Sequence, residues 1–391
     1  MCIMKICGIV SEYNPFHAGH KYHIDETRKT TNCDYVVACM SGAFTQRGEP
    51  AFMDKFDRAR AALLGGCDAV FELPQECAVR PAEWFARGGV SVLDKIGCDV
   101  ISFGTESGDK GELMRVFDLV SNETDELREM IKKGLSEGKT LARARGEALE
   151  AACPGLRSMP NLSLALEYLS SIKALGSKMD VCVVKRSAPY HAEQTDKGLS
   201  ASEIRQAVQN GNTDWAVECM PSEVREVFRN ALAGGVSRKA RLDELFLHII
   251  RNLTDEKKEN LPDAGEGLSE RIYQKAQTAV SLEALIDSVK CKRYTRARIT
   301  RVIAAAAIGL EKNAPEDAPY LRLLGFRKES AALIKELDKR SGQKIVSSPE
   351  KVRTHPAFLA EIRATDLWGL SADGEKYRKA GRDCTEKFIV V

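Results

Sequence analysis

The chain has 391 residues, 43% hydrophobic and 29% charged, with a formal net charge of +2. That length allows two or three domains with a sizeable core, and the near-neutral balance excludes a globally basic surface, so any affinity for nucleic acid has to come from a local patch. No stretch approaches the roughly 18 consecutive apolar residues of a membrane helix, no signal-peptide core opens the chain, and the twelve cysteines form no C-x-x-C pair that would suggest a zinc site or disulfide framework; a cytoplasmic protein without a membrane partner is expected.

The first pattern is the most informative. Ile6, Gly8, Ile9 and Val10 make the short apolar run of a parallel strand buried on both faces, and Asn14-Pro15 stops it. The turn delivers His17, Ala18, Gly19 and His20 to the start of a helix that runs on through Tyr22, Ile24 and Arg28. Open N–H groups and the positive dipole end favour an anion there, and Gly19 lets a ligand approach the backbone. His17 and His20, spaced i, i+3, share one face and can both donate to one polyphosphate. Two other readings compete: a metal held by His17, His20 and His23, for which no second ligand cluster is visible, and simple capping by the histidines.

Tyr35–Met40 is a second strand, closed by Ser41-Gly42, and the polar stretch 43–50 after it occupies the position of a ligand loop in a doubly wound sheet. A helix over 54–64 ends at Gly65-Gly66. A third strand spans 68–73, Pro81 opens a helix to Ile96, and a fourth strand, 100–103, ends in Gly104-Thr105-Glu106, where glycine again permits close backbone contact. This β-α order predicts a mostly parallel sheet. Residues 110–152 read as a charged helical insertion; Pro160-Asn161 introduces a helix over 163–175, and 179–184 is a fifth strand followed by Lys185-Arg186. In Leu199-Ser-Ala-Ser-Glu-Ile-Arg205, Ser200 and Glu203 form a capping box, while Ser202 and Arg205 suit an anion facing His17 and His20 from the other side.

A catalytic domain over 1–215 and a mainly helical region over 216–391 follow from these patterns. The second region has helix patterns at 242–253, 268–280, 282–289, 296–310 and 328–337 and a strand-like segment at 344–347. Its notable feature is the run 290–301, six basic residues (Lys290, Lys292, Arg293, Arg296, Arg298, Arg301) with Tyr294 and no acid. Such runs are commonly solvated helix faces; leading into the apolar 302–308, this one suits contact with a phosphate backbone. Tyr294 either stacks on an unpaired base or packs in the core.

The H-x-G-H pattern at 17–20, after an apolar strand and before a helix, is that of the nucleotidyltransferase superfamily. The chain resembles the bacterial tRNA(Met) cytidine acetate ligase family in E-Y-N-P-F-H-A-G-H, S-G-A-F-T-Q-R-G-E-P, S-F-G-T-E, Pro160-Asn161, V-K-R at 184–186, S-A-S-E-I-R and K-R-Y-T-R-A-R. The resemblance implies a Rossmann-like α/β nucleotidyltransferase domain. It also implies activation of acetate by ATP with Mg²⁺, and acetyl transfer to N4 of the wobble cytidine in elongator methionine tRNA. It places ATP contacts at Val10, Ser11, Glu12, Tyr13, Asn14, Pro15, Phe16, His17, Gly19, His20, His23, Gly104, Asn161 and Arg186, besides Ser202 and Arg205. Leu162 departs from the family's Pro-Asn-Asn. A small-molecule nucleotidyltransferase of cofactor biosynthesis shares both motifs but leaves the basic extension unexplained; a non-catalytic tRNA-binding protein is the third reading.

Overall fold

The computed structural model describes residues 4–122, 125–138, 141–152, 159–186 and 200–391. Four parallel strands with intervening helices open the chain: β1 (Ile6–Ser11), α1 (Ala18–Thr31), β2 (Tyr35–Ser41), α2 (Lys55–Leu64), β3 (Ala69–Leu73), the short α3 (Gln75–Ala78), α4 (Ala82–Lys95) and β4 (Val100–Thr105). The charged insertion is α5 (Lys110–Asn122), α6 (Asp125–Ser136) and α7 (Leu141–Ala152). α8 (Pro160–Leu175) starts at Pro160, three residues earlier than expected, because proline suits the first helical position, and β5 (Asp180–Lys185) follows.

β1, β2, β3 and β4 are buried nearly throughout, as parallel strands covered on both faces must be. α4 lies tightly on β1: a Cβ on Gly89 would come within 2.7 Å of Val10, and one on Gly8 within 2.7 Å of Leu93. Contact at residue 89 with residue 10, and at 93 with 8, makes the helix antiparallel to the strand. One core cluster packs α4 and α8 on this face, and a second packs α1 and α2 on the other.

Beyond residue 200 come α9 (Ala201–Gln209), α10 (Thr213–Glu218), α11 (Arg225–Gly234), α12 (Asp243–Arg251), α13 (Asp255–Asn260), α14 (Leu268–Ala276), α15 (Leu282–Val289), α16 (Arg296–Ile308), β6 (Leu323–Phe326), α17 (Ala331–Ser341), α18 (Pro356–Ser371), α19 (Arg382–Thr385) and β7 (Ile389–Val390). The sheet order is β5-β4-β1-β2-β3-β6-β7, with β6 antiparallel to β3. Residues 216–391 are therefore mainly helical but also complete the sheet. The late strand is Leu323–Phe326 rather than 344–347, where only Val346 forms an isolated bridge, to Arg322; four apolar residues in a short strand carry no alternation to read.

A buried ionic cluster joins the two halves. Lys55 Nζ lies 2.6 Å from Glu72 and 2.7 Å from Asp383, and Arg322 bonds the same two carboxylates. All four side chains are at most 5% exposed. Burial raises the pKa of Asp383, but the charges of Arg322 and Lys55 outweigh it and hold the carboxyl ionised. Glu361 is pushed the other way by its burial and then by the charge of Glu72, well above the usual carboxylate range. Removing one partner of such a pair leaves an uncompensated buried charge, so Asp383→Asn should destabilise the chain by about 3–5 kcal/mol, read as a lower denaturation midpoint. A loss under about 1 kcal/mol contradicts the cluster.

Candidate active site

Two imidazoles close the first turn of α1. His17 is the N-cap: its Nδ1 accepts the Gly19 N–H at 3.0 Å, and His20 Nδ1 accepts the His17 N–H at 3.2 Å. The pair forms a reciprocal capping box, so the capping reading is right for Nδ1 but does not exhaust the rings. With Nδ1 accepting, each neutral ring carries its proton on Nε2; two donors, on rings whose centroids are 4.0 Å apart, stand at the positive end of a helix. Gly19 serves this cap, since a Cβ there would meet His17 Cε1 at 2.8 Å. Burial and then the charge of Arg186 lower the pKa of His17 and of His23 to about 4; burial and then the charges of His17, Arg186 and His23 hold His20 well below its ordinary value. The three histidines do not gather round one point. His23 Nε2 instead lies 3.0 Å from Ser102 Oγ on β4.

The rest of the turn is scaffold. Tyr13 and Phe16 are buried, their rings edge to face at 5.0 Å, and Tyr13 also packs on His20 at 4.9 Å. Pro15 follows a cis bond from Asn14. Asn14 Oδ1 accepts the Phe52 N–H at 2.6 Å, and Glu12 Oε1 accepts the Gln46 N–H at 2.7 Å, so the turn is laced to the loop after β2. Val10 packs under Gly89, and Ser11 ends β1 with a buried hydroxyl.

Gly104, Asn161 and Arg186 come together at the ends of β4 and β5. Arg186 Nη1 donates to Asn161 Oδ1, and a Cβ on Gly104 would strike Arg186 Cγ at 2.8 Å. Glu106 accepts from Asn161 N and Nδ2 at 3.0 and 2.8 Å and from Leu162 N at 3.0 Å. Burial raises its pKa, but these bonds outweigh that and keep it an anion. Glu106 thus caps α8 and fixes the amide that aims Arg186. Leu162 puts its side chain into the core, so Asn161 alone serves this contact. Ser200 and Glu203 form the expected capping box, Leu199 lies outside the described residues, and Ser202 is exposed. Arg205 Nη1 donates to the Asn14 carbonyl at 2.6 Å, bracing the turn.

The basic run is less free than its sequence suggests. Arg301 bonds Asp263 at 2.7 Å, Arg298 bonds Glu266 at 3.0 Å, Arg293 lies 3.4 Å from Glu266, and Arg296 pairs with Glu283 and Asp287. Tyr294 is 6% exposed with its hydroxyl on the Glu266 carbonyl, which settles it as a core residue. Lys290, Lys292 and Arg293 are exposed. α16 touches the loop after β2: a Cβ on Gly48 (φ +75°) would lie 2.7 Å from Arg301 Cα.

Sequence reasoning missed Arg58 and the role of Glu106. Arg58, with no exposed surface, donates to the carbonyls of Met53, Glu12, Ser41 and Gly42. Its only sequence signal is an arginine four residues from Asp54 and Ala62, on the apolar face of α2. A cleft of about 270 Å³ between α4 and α8 is lined by Glu83, Glu167 and Glu316, carboxylates that repel a polyphosphate.

Asparagine at position 17 can still cap α1 through Oδ1, but its amide N–H groups stop short of the place where Nε2–H stands. His17→Asn should keep the melting temperature within a few degrees while lowering any ATP–pyrophosphate exchange by roughly 10²-fold; equal loss of stability and rate would leave only the cap. The histidines also predict a pH dependence. Unfolded rings titrate near 6.5 and folded ones near 4, so the native state binds fewer protons between these values. Stability of the ligand-free chain should fall as pH drops from about 6.5 towards 4, less steeply in His23→Gln.

A family model described as HIGH Nucleotidyl Transferase matches residues 4–383. The tRNA(Met) cytidine acetate ligase of Acetivibrio thermocellus is 34% identical over 416 residues, covering 99% of this chain and all of that one; the same-named protein of Fervidobacterium nodosum is 38% identical over 424 residues, covering 99% of each. The crystal structure of Thermotoga maritima TmcAL bound with alpha-thio ATP superposes with a TM-score of 0.87 at 29% identity and covers 99% of both chains; the apo form gives 0.88 at the same identity, covering 99% of this chain and 100% of that one. With the histidine-capped turn intact and the likeness running end to end, the chain belongs to the HIGH nucleotidyl transferase family and, within it, to the tRNA(Met) cytidine acetate ligases.

Proposed function

We propose that the chain activates acetate with ATP and transfers the acetyl group to N4 of the wobble cytidine in elongator methionine tRNA. The observation that carries the ATP half is the pair of Nε2–H donors beside the Arg186 guanidinium at one helix start. In the first step an acetate oxygen bonds the α-phosphorus as the bond to the bridging oxygen breaks, and pyrophosphate leaves with the electron pair. His17, His20 and Arg186 stabilise the charge that gathers on the leaving group. Gly104 leaves space for the Arg186 side chain to lie against β4, and Asn161 holds Arg186 in aim. Mg²⁺ fits as an ion carried by the polyphosphate, supplying further neutralisation; among the described residues no group of three or more His, Cys, Asp or Glu is placed to hold a metal. In the second step the cytidine amine attacks the acetyl carbon, AMP departs and the amine gives up a proton.

Residues 1–215 carry the ATP chemistry in this reading, and 216–391 supply the tRNA surface while completing the sheet. Lys290, Lys292 and Arg293 lead the phosphate-backbone contact because they are exposed; Arg296, Arg298 and Arg301 shape that end through their acidic partners. The reaction places the chain in the cytoplasm, in keeping with the lack of any described helix long and apolar enough to cross a membrane.

Acetate-dependent ATP–pyrophosphate exchange without RNA tests the first step, and acetyl transfer to the tRNA tests the second. Replacing Lys290, Lys292 and Arg293 together by Gln should leave exchange intact, abolish transfer and flatten the log–log salt slope of tRNA binding by roughly 0.7–0.9 per lost contact. An unchanged slope with normal transfer would return the run to an ordinary solvated face.

A further inference from the structure

A second anion-seeking site lies across the end of β1 from the histidines. Because α4 runs antiparallel to β1 with Gly89 on Val10, its rise of 1.5 Å per residue carries Ala82 about 10 Å past Val10, level with the turn that leads into α1. The N-cap of this 14-residue helix is Pro81, which offers no side-chain acceptor, so the first-turn N–H groups need a partner from elsewhere.

Arg80 stands immediately before it. The residue is 4% exposed, its guanidinium lies 3.9 Å from the centroid of the Trp84 ring in the first turn of α4, and Nε and Nη1 are sealed from solvent with no hydrogen-bond partner. Its carbonyl accepts from Gln46 Nε2 at 2.9 Å, and the N–H of Gln46 goes to Glu12; one residue thus separates Arg80 from the nucleotide turn. The charges of Cys77, Asp263, Glu76 and Glu316 act on the guanidinium, but none of these groups reaches Nε or Nη1. A buried guanidinium with orphaned donors is costly, and a helix N-terminus of the same sign adds to the cost. An anion relieves both.

We propose that Arg80 and the first turn of α4 bind the carboxylate of the acid substrate, an inference that rests on the adenylate-forming reading above. With the residue 4% exposed, the guanidinium is too enclosed for a polyphosphate or a nucleic-acid backbone, which leaves a small anion as the class of ligand that suits it. Stacked on an indole, it keeps its edge for an acceptor lying in its own plane, the preference of a carboxylate. Placement agrees with in-line displacement: α1 holds the leaving pyrophosphate from one side of the sheet, and α4 presents the attacking carboxylate from the other. One carboxylate oxygen rests on Arg80 while the second bonds the α-phosphorus as the bond to pyrophosphate breaks.

The test is acetate-dependent ATP–pyrophosphate exchange by the full chain, with acetate and ATP varied separately, for Arg80→Gln and Arg80→Lys. The inference expects the acetate KM of Arg80→Gln to rise tenfold or more, the ATP KM to stay within twofold, and Arg80→Lys to recover part of the loss. Should Arg80→Gln fail to fold, Arg80→Lys carries the same comparison, since retained charge without the fork still raises the acetate KM. An unchanged acetate KM overturns the inference, as does a rise confined to the ATP KM, which would hand Arg80 to the nucleotide. Exchange absent from the unsubstituted chain with every small carboxylate tried would sink the functional reading itself, a result distinct from either of these.

Discussion

Four backbone carbonyls at the ends of β1 and β2 and the start of α2 converge on one buried guanidinium, that of Arg58. Strand ends that turn away from a sheet lose their ladder partners, and a buried carbonyl without a donor costs about 1–3 kcal/mol. Arg58 supplies donors to Glu12, Ser41, Gly42 and Met53 at once, which only a five-donor side chain can do. Burial lowers its pKa to about 10 while Asp54, Glu12 and Glu72 act to raise it, so it stays charged. Through it, the turn that leads to the histidines and the loop after β2 share one anchor on α2.

α2 is anchored in turn from the far end of the chain. Asp54 caps α2 through the Phe56 N–H and bonds Arg382 at 2.6 Å, and Lys55, the next residue, enters the cluster with Glu72, Arg322 and Asp383. Buried ion pairs add little net stability compared with apolar packing, yet a mispaired arrangement strands a charge. Their effect here is to allow one register of β6 and one position of α19 against the catalytic layer. Trp368 Nε1 on the Ala51 carbonyl, 2.6 Å, closes the same loop from α18. The helical region therefore buttresses the site that it follows in sequence.

These dependencies explain what the sequence did and did not disclose. The strand, turn and helix over 6–31 were legible because each signal is local: an apolar run, Asn-Pro, and histidines at helical spacing. The same holds for Ser200 and Glu203. The basic run reads as freer than it is because its counter-charges, Asp263, Glu266, Glu283 and Asp287, sit on other segments, and Tyr294 packs where no local pattern marks a core position. β6 was hidden since a strand of four residues takes its identity from its neighbours β3 and β7. Arg58 and Glu106 had ordinary sequence contexts; their importance comes from unpaired backbone groups that only the fold creates.

The electrostatic character of the site follows from these same anchors. Holding Nδ1 of both histidines on the backbone fixes the tautomer, and burial with Arg186 nearby keeps the rings uncharged. A pair of lysines in their place would attract ATP strongly before reaction, and binding that is equal in the ground and transition states does not raise the rate. In the proposed reaction, neutral N–H donors would bind the ground-state polyphosphate modestly and gain strength as charge moves to the leaving oxygen. The positive charge on hand, Arg186, is tethered through Asn161 to Glu106, so its partner is an amide held by a carboxylate rather than the carboxylate itself. That arrangement keeps the guanidinium aimed without neutralising it, which in the proposed reaction leaves its charge for the pyrophosphate.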